Sequence, residues 1–116
     1  MFEYRETLRR LAISDPRFLS EIMGRDSVAV GEVEARVVAL LRLAALMAIG
    51  GPTTAFGQAV TMALAAGATE DDVAATLVAV APVVGSARTV ETAPKVALAM
   101  GYDVEADLEA WPEFAE

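Results

Sequence analysis

The chain has 116 residues, a net charge of −8, and neither cysteine nor histidine. Its length suits one domain, and its acidity argues against nucleic acid and against anionic membrane surfaces as partners. Without Cys there is no disulfide, thiol nucleophile or thiolate metal site, and without His the commonest general base near neutral pH is missing.

Apolar residues make up 55% of the chain before glycine is counted, whereas ordinary domains reach about 45–50% with glycine included. Between Leu43 and Ala87 there is no Lys or Arg, and the only acids are Glu70, Asp71 and Asp72. One short chain cannot easily cover so much uncharged surface, so self-association is the first expectation. MFEYRETLRR has neither the apolar run nor the cleavage site of a signal peptide. The runs Val37–Leu41 and Leu43–Pro52 fall short of the ~18–20 residues that span a bilayer. A cytoplasmic location is expected.

Residues 3–12 place Tyr4, Leu8 and Leu11 at helical spacing, with Glu6 and Arg10 four apart. Ser14 or Asp15 can cap a second helix that has Pro16 at its first position and Gly24 beyond its end. Arg25 to Gly31 reads as a connector. A third helix is expected from Glu32 to Ile49, with Glu32 and Glu34 in its first turn, ended by Gly50-Gly51. Pro52 then restarts the chain at a helix first turn, and a fourth helix runs from Thr53 to Ala66, with Gly67 as its left-handed cap. Thr69 and Asp72 have capping-box spacing for a fifth helix, which Pro82 should kink or end a turn early. A sixth helix follows Gly85-Ser86 to Met100, bent at Pro94. Gly101 closes it, and Asp103 caps a last helix that reaches Ala110 and is stopped by Pro112. No stretch alternates as a strand does. The reading is all-α, about seven helices, two of them short.

The run LLRLAALMAIGG and then TMALAAGATEDDVAATLVAVAPVVGSARTVETAPKVALAMGYDVEADLE resemble the carboxymuconolactone decarboxylase family. The AGATEDD segment, the APVVG turn and the LAMGYD ending carry the likeness. It implies a single alkyl hydroperoxidase D-like helical domain over 1–116, with 31–109 as the family-matching core and 1–30 as N-terminal helices. It also implies a homo-oligomer, a trimer or a hexamer. Family members are decarboxylases or thiol-dependent peroxidases. The peroxidase motif Cys-x-x-Cys-x-x-x-His falls on Pro52, Ala55 and Ala59 here, and an acid that members often carry on the preceding helix falls near Ala39 or Leu40. No catalytic residue carries over, and without a thiolate peroxidase chemistry has no agent.

The remaining candidates come from the residues themselves. Arg42, one cation in an apolar helix, receives a substrate carboxylate, pairs with Glu91 or another acid of the protein or of a neighbouring subunit, or snorkels its head outward. Thr54, Gln58 and Thr61 form a polar stripe that lines a small ligand pocket, a subunit contact or plain surface. Arg88, Glu91 and Lys95 make a charge ladder of the kind that ordinarily forms a solvated face. Its catalytic alternative has Glu91 as proton donor, with Arg88 or Arg42 holding a carboxylate; Lys95 and Tyr102 offer the same functions. Glu70-Asp71-Asp72 reads as helix capping rather than a metal site. The expectation is a cofactor-free, decarboxylase-like lyase acting on a small carboxylated or cyclic metabolite. The alternative is a catalytically silent oligomer that binds a small molecule or serves in assembly.

Overall fold

Chain punctuation sets the helix ends in the computed structural model, which describes residues 3–24 and 30–110. In order the helices are α1 (Tyr4–Ala12), α2 (Pro16–Met23), α3 (Ala35–Ile49), α4 (Thr53–Ala65), α5 (Glu70–Val84), α6 (Ser86–Ala99) and α7 (Val104–Ala110). Residues 25–29 of the expected connector, and Pro112, lie outside the described residues. Among the described residues there is no strand; Val30 and Val33 form an isolated bridge.

That bridge moves the start of α3. The two valines exchange N–H···O bonds of 3.1 and 2.9 Å around Gly31, whose φ of +57° supplies the tight turn. Glu32 therefore sits in the turn and Glu34 is the N-cap, so neither acid occupies the first helical turn where the sequence reading put them. Pro52 is likewise the N-cap of α4 rather than a first-turn residue.

Other boundaries follow expectation. Thr69 and Asp72 form a reciprocal capping box, with Asp72 N–H donating to Thr69 Oγ1 and Thr69 N–H to Asp72 Oδ2, each at 3.0 Å. Gly67 stands at φ +103° just past α4. Ala68 N–H reaches back to Ala63 O and Gly67 N–H to Leu64 O, the paired closure of a Schellman end.

Pro82 does not end α5 early; the helix continues to Val84. Pro82 deprives the Val78 carbonyl of its helical donor, but both residues are exposed, so water can take the donor's place. Pro94 inside α6 is tolerated in the same way, its orphaned carbonyl belonging to exposed Val90.

Helices α3 to α6 form the body. α4 lies against α3 and α6, α5 against α3 and α6, and α7, among the described residues, against α6. Their shared core holds Leu43, Met47, Phe56, Val60, Val73 and Val96, each 0–1% exposed. At about 1.5–3 kcal/mol per large apolar side chain, this cluster is the main stabilising term of the body. Arg36 of α3 and Asp72 of α5 pair at 3.7 Å on its margin.

The N-terminal helices stand apart. Among the described residues α1 packs only on α2, and neither helix buries a side chain. The molecule measures 57 × 26 × 21 Å with a radius of gyration of 17.0 Å, where a compact domain of about 100 residues has about 13 Å. Leu41, Ile49, Val78, Val83, Val90 and Leu98 are all exposed. No helix among the described residues is long and apolar enough to cross a membrane.

Candidate functional site

Beside the Leu43, Met47, Phe56 and Val60 core, one side of the α3–α4 seam is lined by alanines. Residues this small leave space where larger ones would interlock, and a groove of about 390 Å³ lies between the helices. Ala39, Ala55 and Ala59 line it with Val38, Leu46 and Met62, and the polar residues of its described lining are Arg42 and Gln58. Arg42 is half-buried and takes part in an interaction within the protein. Among the described residues that line the groove there is no carboxylate.

Thr54, Gln58 and Thr61 come together on the outer side of α4, in a shallow depression shared with Gly57, Met62 and Ala99. Gln58 belongs to both depressions. The Thr61 hydroxyl donates to Gly57 O at 2.8 Å, the back-bond a helical threonine makes to its preceding turn.

The α6 ladder divides. Glu91 is exposed and pairs with Lys95 at 3.5 Å, but Lys95 turns inward. Its Nζ donates to the carbonyl of Gly51 at 3.1 Å and sits 5.8 Å from the centre of the Phe56 ring. Arg88 packs its guanidinium against Gly50, in the place a Cβ would take. Two rungs of the expected solvated ladder thus hold the α3–α4 turn. Neither Arg88 nor Glu91 lines the α3–α4 groove, so the arrangement does not join them there with Arg42.

Nothing in the spacing of residues 88–95 points to this clamp, because its partners are backbone groups some forty residues away. Two adjacent glycines before a proline are the only hint, since they expose carbonyls in a turn that has no side chains to cover them. Tyr102 lies elsewhere. Its hydroxyl donates to Asp107 Oδ2 at 2.6 Å, and that bond raises its pKa. Its ring lines a separate groove between α5 and α6. The Asp72 carboxyl is held below its ordinary 3.8, first by the Thr69 backbone N–H; the Thr69 hydroxyl and Arg36 add to this, and partial desolvation opposes it. Glu70, Asp71 and Asp72 all sit in the first turn of α5, consistent with capping.

The profile of the carboxymuconolactone decarboxylase family matches residues 17–99, well over half the chain. The chain belongs to this family. No curated protein and no solved structure matches it. Within the family's thiol members, the motif cysteines and histidine would occupy the positions of Pro52, Ala55 and Ala59. In this structure Ala55 and Ala59 are groove-lining residues, as is Ala39, one of the two positions where members often carry an acid. Pro52, the remaining position of that motif, does not line the groove.

Proposed function

We propose that this member of the carboxymuconolactone decarboxylase family takes a small carboxylated metabolite into the α3–α4 groove. Its chemistry is then of the decarboxylase rather than the thiol-peroxidase type. The observation that carries this reading is the groove itself: an apolar slot of about 390 Å³ whose described lining brings the Arg42 cation and the Gln58 amide together. A guanidinium offers five N–H donors in a planar fork that matches a carboxylate, and Gln58 can bond a second oxygen. The alanine walls suit a flat, mostly apolar ring or chain.

Loss of carbon dioxide requires a cation over the carboxylate and an acid that protonates the carbon left behind. Arg42 answers the first need. No acid among the described lining residues answers the second, and this favours the alternative of a silent binder.

The two readings part in one experiment. Purified protein is titrated calorimetrically with a panel of small cyclic and aliphatic carboxylates, and carbon dioxide release is followed for each binder. Binding that Arg42→Met weakens about tenfold or more, while a neutral amide analogue binds poorly, is the expected result. Carbon dioxide release lost in the variant supports the lyase; binding with no release supports the silent binder. Equal affinity in wild type and Arg42→Met removes Arg42 from the site and the proposal with it.

A further inference from the structure

The two glycines of the α3–α4 turn answer different needs. Gly50 stands at φ +81°, a backbone that glycine alone adopts at ease. Gly51 has no left-handed φ. It precedes Pro52, and a residue before proline is held in the extended region, which a branched side chain tolerates well. What Gly51 lacks is room. A Cβ placed on it would stand 3.2 Å from Leu46 Cδ1 and 3.6 Å from Ala55 Cβ. The first distance is shorter than the ordinary carbon–carbon contact of about 3.5–4.0 Å. Leu46 and Ala55 are both walls of the α3–α4 groove.

Resting on the reading of that groove as the ligand site, we propose that Gly51 is a specificity-determining position. By leaving this space empty it keeps Leu46 out of the groove, which then admits a carboxylate with a ring-sized apolar body and not only a short chain. A contact of 3.2 Å has to be relieved, and the surroundings decide how. The turn is pinned on three sides. Gly50 N–H donates to Leu46 O at 2.7 Å, Lys95 Nζ donates to Gly51 O at 3.1 Å, and the Arg88 guanidinium packs against Gly50. Lys95 is itself held, by Glu91 at 3.5 Å and over the Phe56 ring.

The turn therefore resists retreat, and Leu46 is the group that yields. One side of Leu46 is closed to it, because it packs on a core in which Leu43, Met47 and Phe56 are each 0–1% exposed and close packing leaves no spare volume. The other side is the groove. A side chain at position 51 thus drives Leu46 into the slot, while Ala55, already at an ordinary distance, stays where it is. With glycine there the slot keeps its volume of about 390 Å³, within the range of about 300–1,000 Å³ found for small-molecule sites. A six-membered ring bearing a carboxylate makes use of that space, whereas a four-carbon chain leaves much of it to water.

The test compares two probes, cyclohexanecarboxylate and butanoate, titrated calorimetrically into wild type, Gly51→Ala and Gly51→Val. Binding of cyclohexanecarboxylate should weaken a little in Gly51→Ala and about tenfold or more in Gly51→Val, with butanoate changed by less than about twofold. Leu46→Ala in the Gly51→Val background should recover most of the loss, a rescue that a merely loosened turn would not show. A crystal structure of Gly51→Val should find the Leu46 side chain moved into the groove. Circular dichroism shows whether the variants keep their helices. Three results would overturn the inference: cyclohexanecarboxylate bound equally by wild type and Gly51→Val, equal weakening of both probes, or Leu46 unmoved in the variant structure. If wild type binds neither probe, it is the reading of the groove as a carboxylate site that fails, and the position of Leu46 in Gly51→Val then decides whether Gly51 holds the groove open.

Discussion

Gly50 is the most constrained residue of the α3–α4 turn. Its φ is +81°, and the volume beside its Cα is filled by the Arg88 guanidinium. Gly50→Ala therefore meets two separate penalties, a left-handed backbone and a clash with a side chain that can move. The expected loss is about 1–3 kcal/mol, read as a shift in denaturation midpoint. Repeating it in an Arg88→Ala background should remove the clash and leave the backbone cost. Equal losses in both backgrounds would show that Arg88 does not occupy that space. Arg42 marks the limit of reading at this scale. A lone cation in an apolar run is visible in the sequence, but its neighbours Gln58, Ala55 and Ala59 become neighbours only when α4 folds back on α3.

At the scale of elements, capping sets the stability of α5. Thr69→Ala removes the acceptor for Asp72 N–H and should cost about 1 kcal/mol, measured by chemical denaturation. The same cap makes stability depend on pH. The Asp72 carboxyl is depressed below 3.8 chiefly by the Thr69 N–H. Glu6 is held down from 4.5 to about 2, chiefly by its hydrogen bond to Arg9; some desolvation opposes this, and Arg10 adds to it. A carboxylate with a depressed folded pKa contributes stability that is whole above its ordinary value and fades as pH falls through the folded one. Helical signal should therefore weaken from about pH 4.5 downward. Asp72→Asn should be less stable than wild type near neutrality and flatter across that window. An unchanged acid profile in Asp72→Asn would show that the cap bond is not what responds.

For the whole molecule, the buried cluster of the four-helix body and the uncovered arm make opposite predictions. Phe56→Ala empties a site that is 1% exposed and should cost about 3–5 kcal/mol whatever the protein concentration. If copies cover one another, the wild-type melting midpoint should rise with concentration, because association that favours the folded state adds stability by mass action. A midpoint constant from about 1 to 100 μM would count against self-association.

Sequence alone determined the helical class, most helix ends and the loss of thiol chemistry. Caps, turn glycines and missing residue types are local facts that need no knowledge of the fold. Tertiary structure decided the rest. It placed Arg42 beside Gln58, turned Lys95 and Arg88 onto the Gly50-Gly51 turn, and let α5 run on through Pro82 where water can reach the orphaned carbonyl. It also left α1 and α2 uncovered. Each of these depends on which surfaces meet across long stretches of chain, and helical periodicity, which fixes only the face a residue occupies, does not say what that face will touch.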